Sequence, residues 1–253
     1  MPNHVVSKIT MKNIGKRKEY YSNLDTDNPY FDFNKIIEQP EELNIEDGTT
    51  TKWGIYAYLT ACYKGVNRYL NPLANYVADS TKLMINPNCL PSNEDLEKAA
   101  NQLHKSLNEL EEIGKTAIEN ARKYGAVTWY NWRCENWGCK WNSYDLSIKD
   151  DDTIFITTPW SPPEGIFIKL SKDNPYDPIY VQYANEDPSI GGYLEYLDGE
   201  LVQDDPYEYS TEESVLNYEE LWGVNYLEDH EDEECIPAFS YNLIECEGEK
   251  ENG

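Results

Sequence analysis

Apolar and polar positions from His4 to Met11 alternate with a period of two. Val5, Ser7, Ile9 and Met11 fall on one side, and Val6, Lys8 and Thr10 on the other. β-Branched residues dominate the run, so it predicts a half-buried strand. Lys12 to Asn28 is polar and ends in the turn signal Asn28-Pro29. Apolar side chains return in the FDFNKII stretch, Phe31 to Ile37, which is expected to lie as a loop over the core before Pro40 and Gly48 break the chain. From Lys52 to Leu70 the residues Trp53, Tyr56, Leu59, Tyr63, Val66 and Leu70 recur three to four apart, the spacing of an amphipathic helix. Leu73 to Met84 reads as a shorter one. Ser92 followed by Asp95 forms a helix-start signal, and Leu96, Ala100, Leu103, Leu107, Leu110, Ala117 and Ala121 continue one apolar stripe. A single long helix is therefore expected from Ser92 to a C-terminal cap at Gly125, with acids leading and Arg122 and Lys123 trailing, as the helix dipole favours.

The stretch Thr128 to Asp145 reads TWYNWRCENWGCKWNSYD and holds four of the seven tryptophans, Trp129, Trp132, Trp137 and Trp141. Large rigid rings at that density predict a core segment. Beyond it the period becomes that of strands. Trp141 to Ile148 and Thr153 to Trp160 are expected to form a hairpin around Asp150, Asp151 and Asp152. Pro162-Pro163 opens a short helix, Glu164 to Leu170, with Ser161 as its N-cap. Ile179 to Tyr183 and Gly192 to Leu197 follow as strands, the second ending at Asp198-Gly199. Strand, long helix, strand, strand, short helix, strand, strand is a βαββαβ unit with one strand added. The fold class expected is α+β, a ferredoxin-like βαββαβ sandwich with a helical insertion over about residues 50–125.

Charge changes the picture at the C-terminal end. The formal net charge is −26, and from Glu195 onward 20 acids stand against Lys250 alone. This divides the chain into a domain of residues 1–201 and an acidic, aromatic-rich extension of residues 202–253. Such a balance argues against direct nucleic-acid or anionic-membrane binding. Six cysteines without framework spacing, no leader-like apolar run and no stretch near the ~20 apolar residues of a membrane helix point to a cytoplasmic protein with free thiols.

Several short pieces recur in one order: MPNHV at Met1 to Val5, FDFNKII with PEEL at Pro40 to Leu43, and Tyr124-Gly125. They continue with NWGCKWNSYD at Asn136 to Asp145, WSPP at Trp160 to Pro163 and GGY at Gly191 to Tyr193. Together they resemble the YubB ferredoxin-like family of phage and plasmid proteins, over Met1 to about Leu201. The chain departs from that pattern at Cys139 and Ser143, where the family reads WGTKWNAYD, and at Pro159, where it reads TAWSPP. The family's YADED appears as Tyr183 to Asp187. The aromatic frame is intact, so the resemblance implies the fold and a mobile-element accessory role, in the cytoplasm of an infected or plasmid-bearing cell. It implies no iron–sulfur cluster, and Cys134 and Cys139 form no four-cysteine set.

Candidate chemistry is sparse. Trp129, Trp132, Arg133, Trp137, Lys140 and Trp141 would make a ligand pocket in which indole faces stack a flat molecule and the two bases hold its charge. Against this, the segment's Asn and Asp side chains are suited to satisfying backbone groups at the turn near Gly138. Ser161 has neither a glycine elbow nor a paired histidine. His230, Cys235 and Cys246 match no zinc spacing, so no metal and no cofactor are expected. Glu186, Asp187 and Asp198 carry an enzymatic alternative as paired carboxylates, and no catalytic residue is assigned. The strongest candidate is a partner-binding surface of acids with aromatic anchors: Tyr207, Tyr209, Glu212, Glu213, Glu219, Glu220, Trp222, Glu228, Asp229, Glu231 and Asp232. The function expected is binding and inhibition of a host protein with a basic surface, such as a nucleic-acid-handling defence complex. The alternative is a binder of a nucleotide-like small molecule.

Overall fold

The computed structural model describes residues 3–62, 90–188, 190–208 and 211–226. The chain divides into two compact units, residues 39–135 and residues 1–38 with 136–253.

The first unit is helical: α1 (Thr49–Cys62), α2 (Asn93–Gln102), α3 (Leu107–Tyr124) and most of α4 (Trp129–Asn136). The single helix expected from Ser92 to Gly125 is two helices. His104 takes a left-handed conformation with φ 54°, and Ser106 starts α3. Ser106 Oγ accepts from the Glu109 amide at 3.2 Å while the Glu109 carboxylate accepts from the Ser106 amide at 2.7 Å. This reciprocal cap restarts the helix, so the apolar stripe continues across a break. The cap at Ser92 and Asp95 and the stop at Gly125 are where the sequence placed them. Ile55, Leu59, Ala117, Ile118 and Ala121 form the core of this unit, with a second cluster of Ala57, Leu96, Ala100 and Leu110. The helix expected over Lys52 to Leu70 is seen to Cys62; its remainder and the helix expected over Leu73 to Met84 lie outside the described residues.

The second unit is built on β1 (His4–Thr10), β4 (Tyr144–Ile148), β5 (Thr153–Pro159), β6 (Ile179–Asn185), β7 (Gly191–Leu197) and β8 (Glu200–Pro206). Two short strands, β2 (Tyr21–Ser22) and β3 (Tyr30–Phe31), pair with each other. The six form one antiparallel sheet in the order β4-β5-β1-β6-β7-β8. Its first four positions, with α5 (Glu164–Asp173) between β5 and β6, have the ferredoxin-like arrangement, in which β1 sits between the strands that follow it. β8 was not expected. Its hairpin with β7 turns on Asp198 and Gly199, both at positive φ (51° and 82°), as a type I′ two-residue turn requires. The boundary drawn at residues 201 and 202 thus falls inside a strand.

The alternation in β1 sets the two faces of the sheet. Val5, Ser7 and Ile9 are fully buried and share a face with Val181, Leu194 and Tyr196. That face packs on Ile166, Phe167 and Leu170 of α5. Val6, Phe155 and Ala184 lie on the other face, under Leu221, Tyr218 and Trp222 of α6 (Glu212–Trp222). Ser161 does not cap α5. The two prolines place it too far upstream, and its hydroxyl donates to the Gly138 carbonyl at 2.8 Å instead.

Candidate functional site

The tryptophan segment divides between structural and exposed roles. In the helical unit Trp132 is buried, and Arg133 donates to Gln39 and lies 5.0 Å over the Trp129 ring. In the sheet unit Trp137 is fully buried, edge-on to Phe33 at 5.7 Å, and its indole N–H donates to the Ile37 carbonyl at 2.9 Å. Gly138 and Gly165 let the turn after Trp137 touch the start of α5. A Cβ on Gly165 would lie 2.1 Å from the Asn136 carbonyl oxygen. Asn142 Oδ1 accepts from the Phe33 amide at 2.9 Å, its Nδ2 donates to Asp32 at 2.9 Å, and Ser143 exchanges hydrogen bonds with the Phe31 backbone. The FDFNKII and NWGCKWNSYD stretches are thus joined to each other by buried polar contacts, which gives both a structural reason to occur together.

Of the six residues expected to form a pocket, Lys140 and Trp141 present an open aromatic surface in the sheet unit, and Trp160 completes it. The Trp141 and Trp160 rings are 5.4 Å apart at 38°, with exposures of 39% and 48%. Lys140 Nζ lies 4.6 Å from one ring centroid and 5.5 Å from the other. Trp160 holds φ at 65°, an unusual conformation for a bulky residue, and its amide donates to the Asn3 carbonyl at 2.8 Å. In the sequence, WSPP stands out through Ser161 and the two prolines, and Trp160 is not among the expected site residues. The signal was the tryptophan itself, placed beside a chain reversal.

The carboxylates of the enzymatic alternative do not meet. Glu186 and Asp187 follow β6, whereas Asp198 lies in the turn after β7, so the seven-residue β7, about 23 Å long, separates them. Glu186 instead approaches His4 Nε2 at 3.7 Å, and His4 Nδ1 is hydrogen-bonded to the Tyr144 hydroxyl. Burial, then the charges of Asp145 and Glu186, pushes the Tyr144 phenol up to about 12. His4 and Glu186 are both substantially exposed, which leaves no closed site for proton transfer.

The acidic surface has its aromatic groups turned inward and its acids outward. Trp222 donates to the Asn185 carbonyl at 2.9 Å and lies 5.9 Å from Tyr218, which seats α6 on the sheet. Tyr207 is half-buried, its amide bonds the Gly191 carbonyl at 3.0 Å, and burial raises its phenol. Glu220 pairs with Lys8 at 2.6 Å, and Glu219 accepts from the Tyr226 amide at 2.8 Å. Glu212 and Glu213 are exposed in the first turn of α6, where the dipole favours them, and Thr211 caps that turn. Every residue of β8 is exposed, including Glu200, Asp204 and Asp205. Tyr209, Glu228, Asp229, Glu231 and Asp232, and the would-be zinc ligands His230, Cys235 and Cys246, lie outside the described residues.

Among the described residues no group of three or more His, Cys, Asp or Glu side chains could hold a metal ion, and no helix is long and apolar enough to cross a membrane. The helical unit has an open depression of about 410 Å³ lined by Trp53, Tyr56, Pro91, Asp95, Lys98, Ala99 and Gln102. Its charged groups are already engaged, Asp95 with Ser92 and Lys98 with Glu94.

Residues 136–233 match a family model described as the ferredoxin-like domain in Api92-like protein. The match begins where the sheet unit resumes, and its description names the fold that the strand order shows, a ferredoxin-like α+β domain. Among solved structures, the chain is similar to the crystal structure of the protein api92 from Yersinia pseudotuberculosis. The two are 11% identical over 82% of this chain and 98% of that one, with a TM-score of 0.32. No curated protein matches the sequence.

Proposed function

We propose that the chain is a non-enzymatic accessory protein of a phage or plasmid, related to the YubB ferredoxin-like family. In this reading it binds and inhibits a host protein with a basic surface, such as a nucleic-acid-handling defence complex, and it does so through the side formed by β8 and α6. One observation carries the reading. β8 is a sheet edge exposed along its whole length, and no Lys or Arg occurs between Glu195 and Glu249. A strongly negative field of this kind, offset locally by Lys8 beside Glu220 and by Lys172 beside Gly199, speeds encounter with a basic groove and disfavours nucleic acid itself. The acids also keep an open edge from pairing with a second copy, which by itself would need no partner. Affinity separates the two roles.

The test is association with a complex isolated from host lysate on the immobilised full chain, measured across salt. Neutralising Asp205, Glu208, Glu212 and Glu213 together to their amides keeps β8 and α6 in place, whereas truncation from residue 203 would remove most of a strand. Binding is expected to fall steeply with salt and at least about tenfold in the neutralised variant. Salt-insensitive binding that the variant retains would sink the proposal.

A second reading, capture of a flat small molecule, is favoured by the Trp141, Trp160 and Lys140 surface. Tryptophan fluorescence titrated with a nucleotide panel, in the native chain and in Trp160→Ala, tests it. A flat response across the panel discards it.

A further inference from the structure

Four side chains from four elements are gathered on the α5 side of the sheet, close to the exposed edge. Cross-strand register places Asp204 of β8 directly opposite Leu194, on the face that also carries Tyr196. The Tyr183 ring crosses Gly192 toward β8, since a Cβ on Gly192 would lie 3.0 Å from Tyr183 Cε1. Glu164 stands one turn before Phe167, whose ring packs on Tyr196 at 5.6 Å. Tyr196 is fully buried, and its hydroxyl has no hydrogen-bond partner among the described residues. Glu164 and Asp204 are exposed, and neither is ion-paired with a described residue. Burial first, then these two carboxylates, raises the phenols of both Tyr183 and Tyr196, so the four groups share one local field. The result is a negative rim at the edge strand above a buried hydroxyl.

We propose that Glu164, Asp204, Tyr183 and Tyr196 receive one arginine side chain of a protein partner. A guanidinium offers five N–H donors in one plane, enough to serve carboxylates on two elements and a phenol oxygen together, while the Tyr183 ring gives it a face to lie on. An ammonium is compact and more strongly hydrated, and cannot span the two carboxylates in the same way. The Tyr196 hydroxyl can accept from the guanidinium or donate to a carboxylate drawn inward with it. This inference rests on the acidic-surface reading and names the group on the partner that the surface anchors.

The probe is a capped, fluorescein-labelled peptide, Gly-Ser-Arg-Ser-Gly, with versions carrying lysine or the neutral isostere citrulline, titrated against the full chain by anisotropy. One-to-one binding of the arginine peptide is expected, about threefold weaker binding of the lysine peptide and none of the citrulline peptide. Asp204→Asn and Glu164→Gln should each weaken arginine binding about fivefold. Tyr196→Phe keeps the ring and the packing and should weaken it about threefold. The Glu112→Gln, Glu119→Gln double variant on the exposed side of α3 should leave it unchanged. Equal binding of arginine and citrulline, or equal losses in the α3 control and in Asp204→Asn, would overturn the site. Equal binding of lysine would overturn the choice of guanidinium. The four neutralised positions that test the acidic surface exclude Glu164 and Asp204, so that surface can stand while this receptor fails, and the reverse outcome is equally readable.

Discussion

A hydroxyl closed inside a protein with no hydrogen-bond partner costs stability, and Tyr196 carries one. Tyr196→Phe should therefore stabilise the fold by about 1 kcal/mol and raise the thermal midpoint by roughly 3 °C. A lowered midpoint would mean that the hydroxyl is satisfied in solution. The same burial makes the protein sensitive to alkali. Burial pushes the phenols of Tyr21, Tyr183 and Tyr196 up, and Tyr144 reaches about 12 from an ordinary 10. Because the fold favours the neutral phenol, its advantage is complete below pH 10 and is lost as pH rises through about 12 for Tyr144. Near-ultraviolet titration alongside circular dichroism should find late-titrating tyrosines that ionise together with loss of structure. Independent, early ionisation would contradict this.

At the scale of the element, the crossing of α1 and α3 depends on two glycines. A Cβ on Gly114 would lie 2.0 Å from the Gly54 carbonyl oxygen, so neither helix can relieve the clash by turning a side chain. Helix propensity alone favours Gly114→Ala by about 1 kcal/mol. The contact should reverse the sign, with a loss of at least about 2 kcal/mol by thermal unfolding. Ser106→Ala removes half of the reciprocal cap and should cost about 1 kcal/mol. If it is silent, the break at His104 has another cause. The Ser106 to Glu109 signal was present in the sequence, hidden by an apolar stripe that ran past it. The glycine pair was not legible, because each glycine is ordinary until the helices cross.

For the molecule as a whole, an imbalance of −26 with the acids gathered after Glu195 means that like charges repel in the folded state. Added salt should raise the thermal midpoint of the native chain, and should do so less in the chain neutralised at Asp205, Glu208, Glu212 and Glu213. Equal salt responses would show that the repulsion lies elsewhere. The acidic aromatic surface was legible as composition but not as geometry. Trp222 and Tyr207, offered by the sequence as anchors for a partner, are turned toward the sheet, whereas Glu212, Glu213 and the acids of β8 face outward.

The sequence by itself determined the alternation of β1, the hairpin around Asp150 to Asp152, the caps at Ser92 and Gly125 and the βαββαβ order. Each follows from periodicity or turn chemistry over a few neighbouring residues. It could not yield β8, because a strand exposed on both faces needs no apolar alternation to mark it. Only the tertiary structure decided that Trp132 and Trp137 are buried while Trp141 pairs with Trp160. It alone brought Glu164, Tyr183, Tyr196 and Asp204 onto one face. Those neighbours are set by sheet register and helix docking, contacts between residues far apart in the chain that no local pattern records.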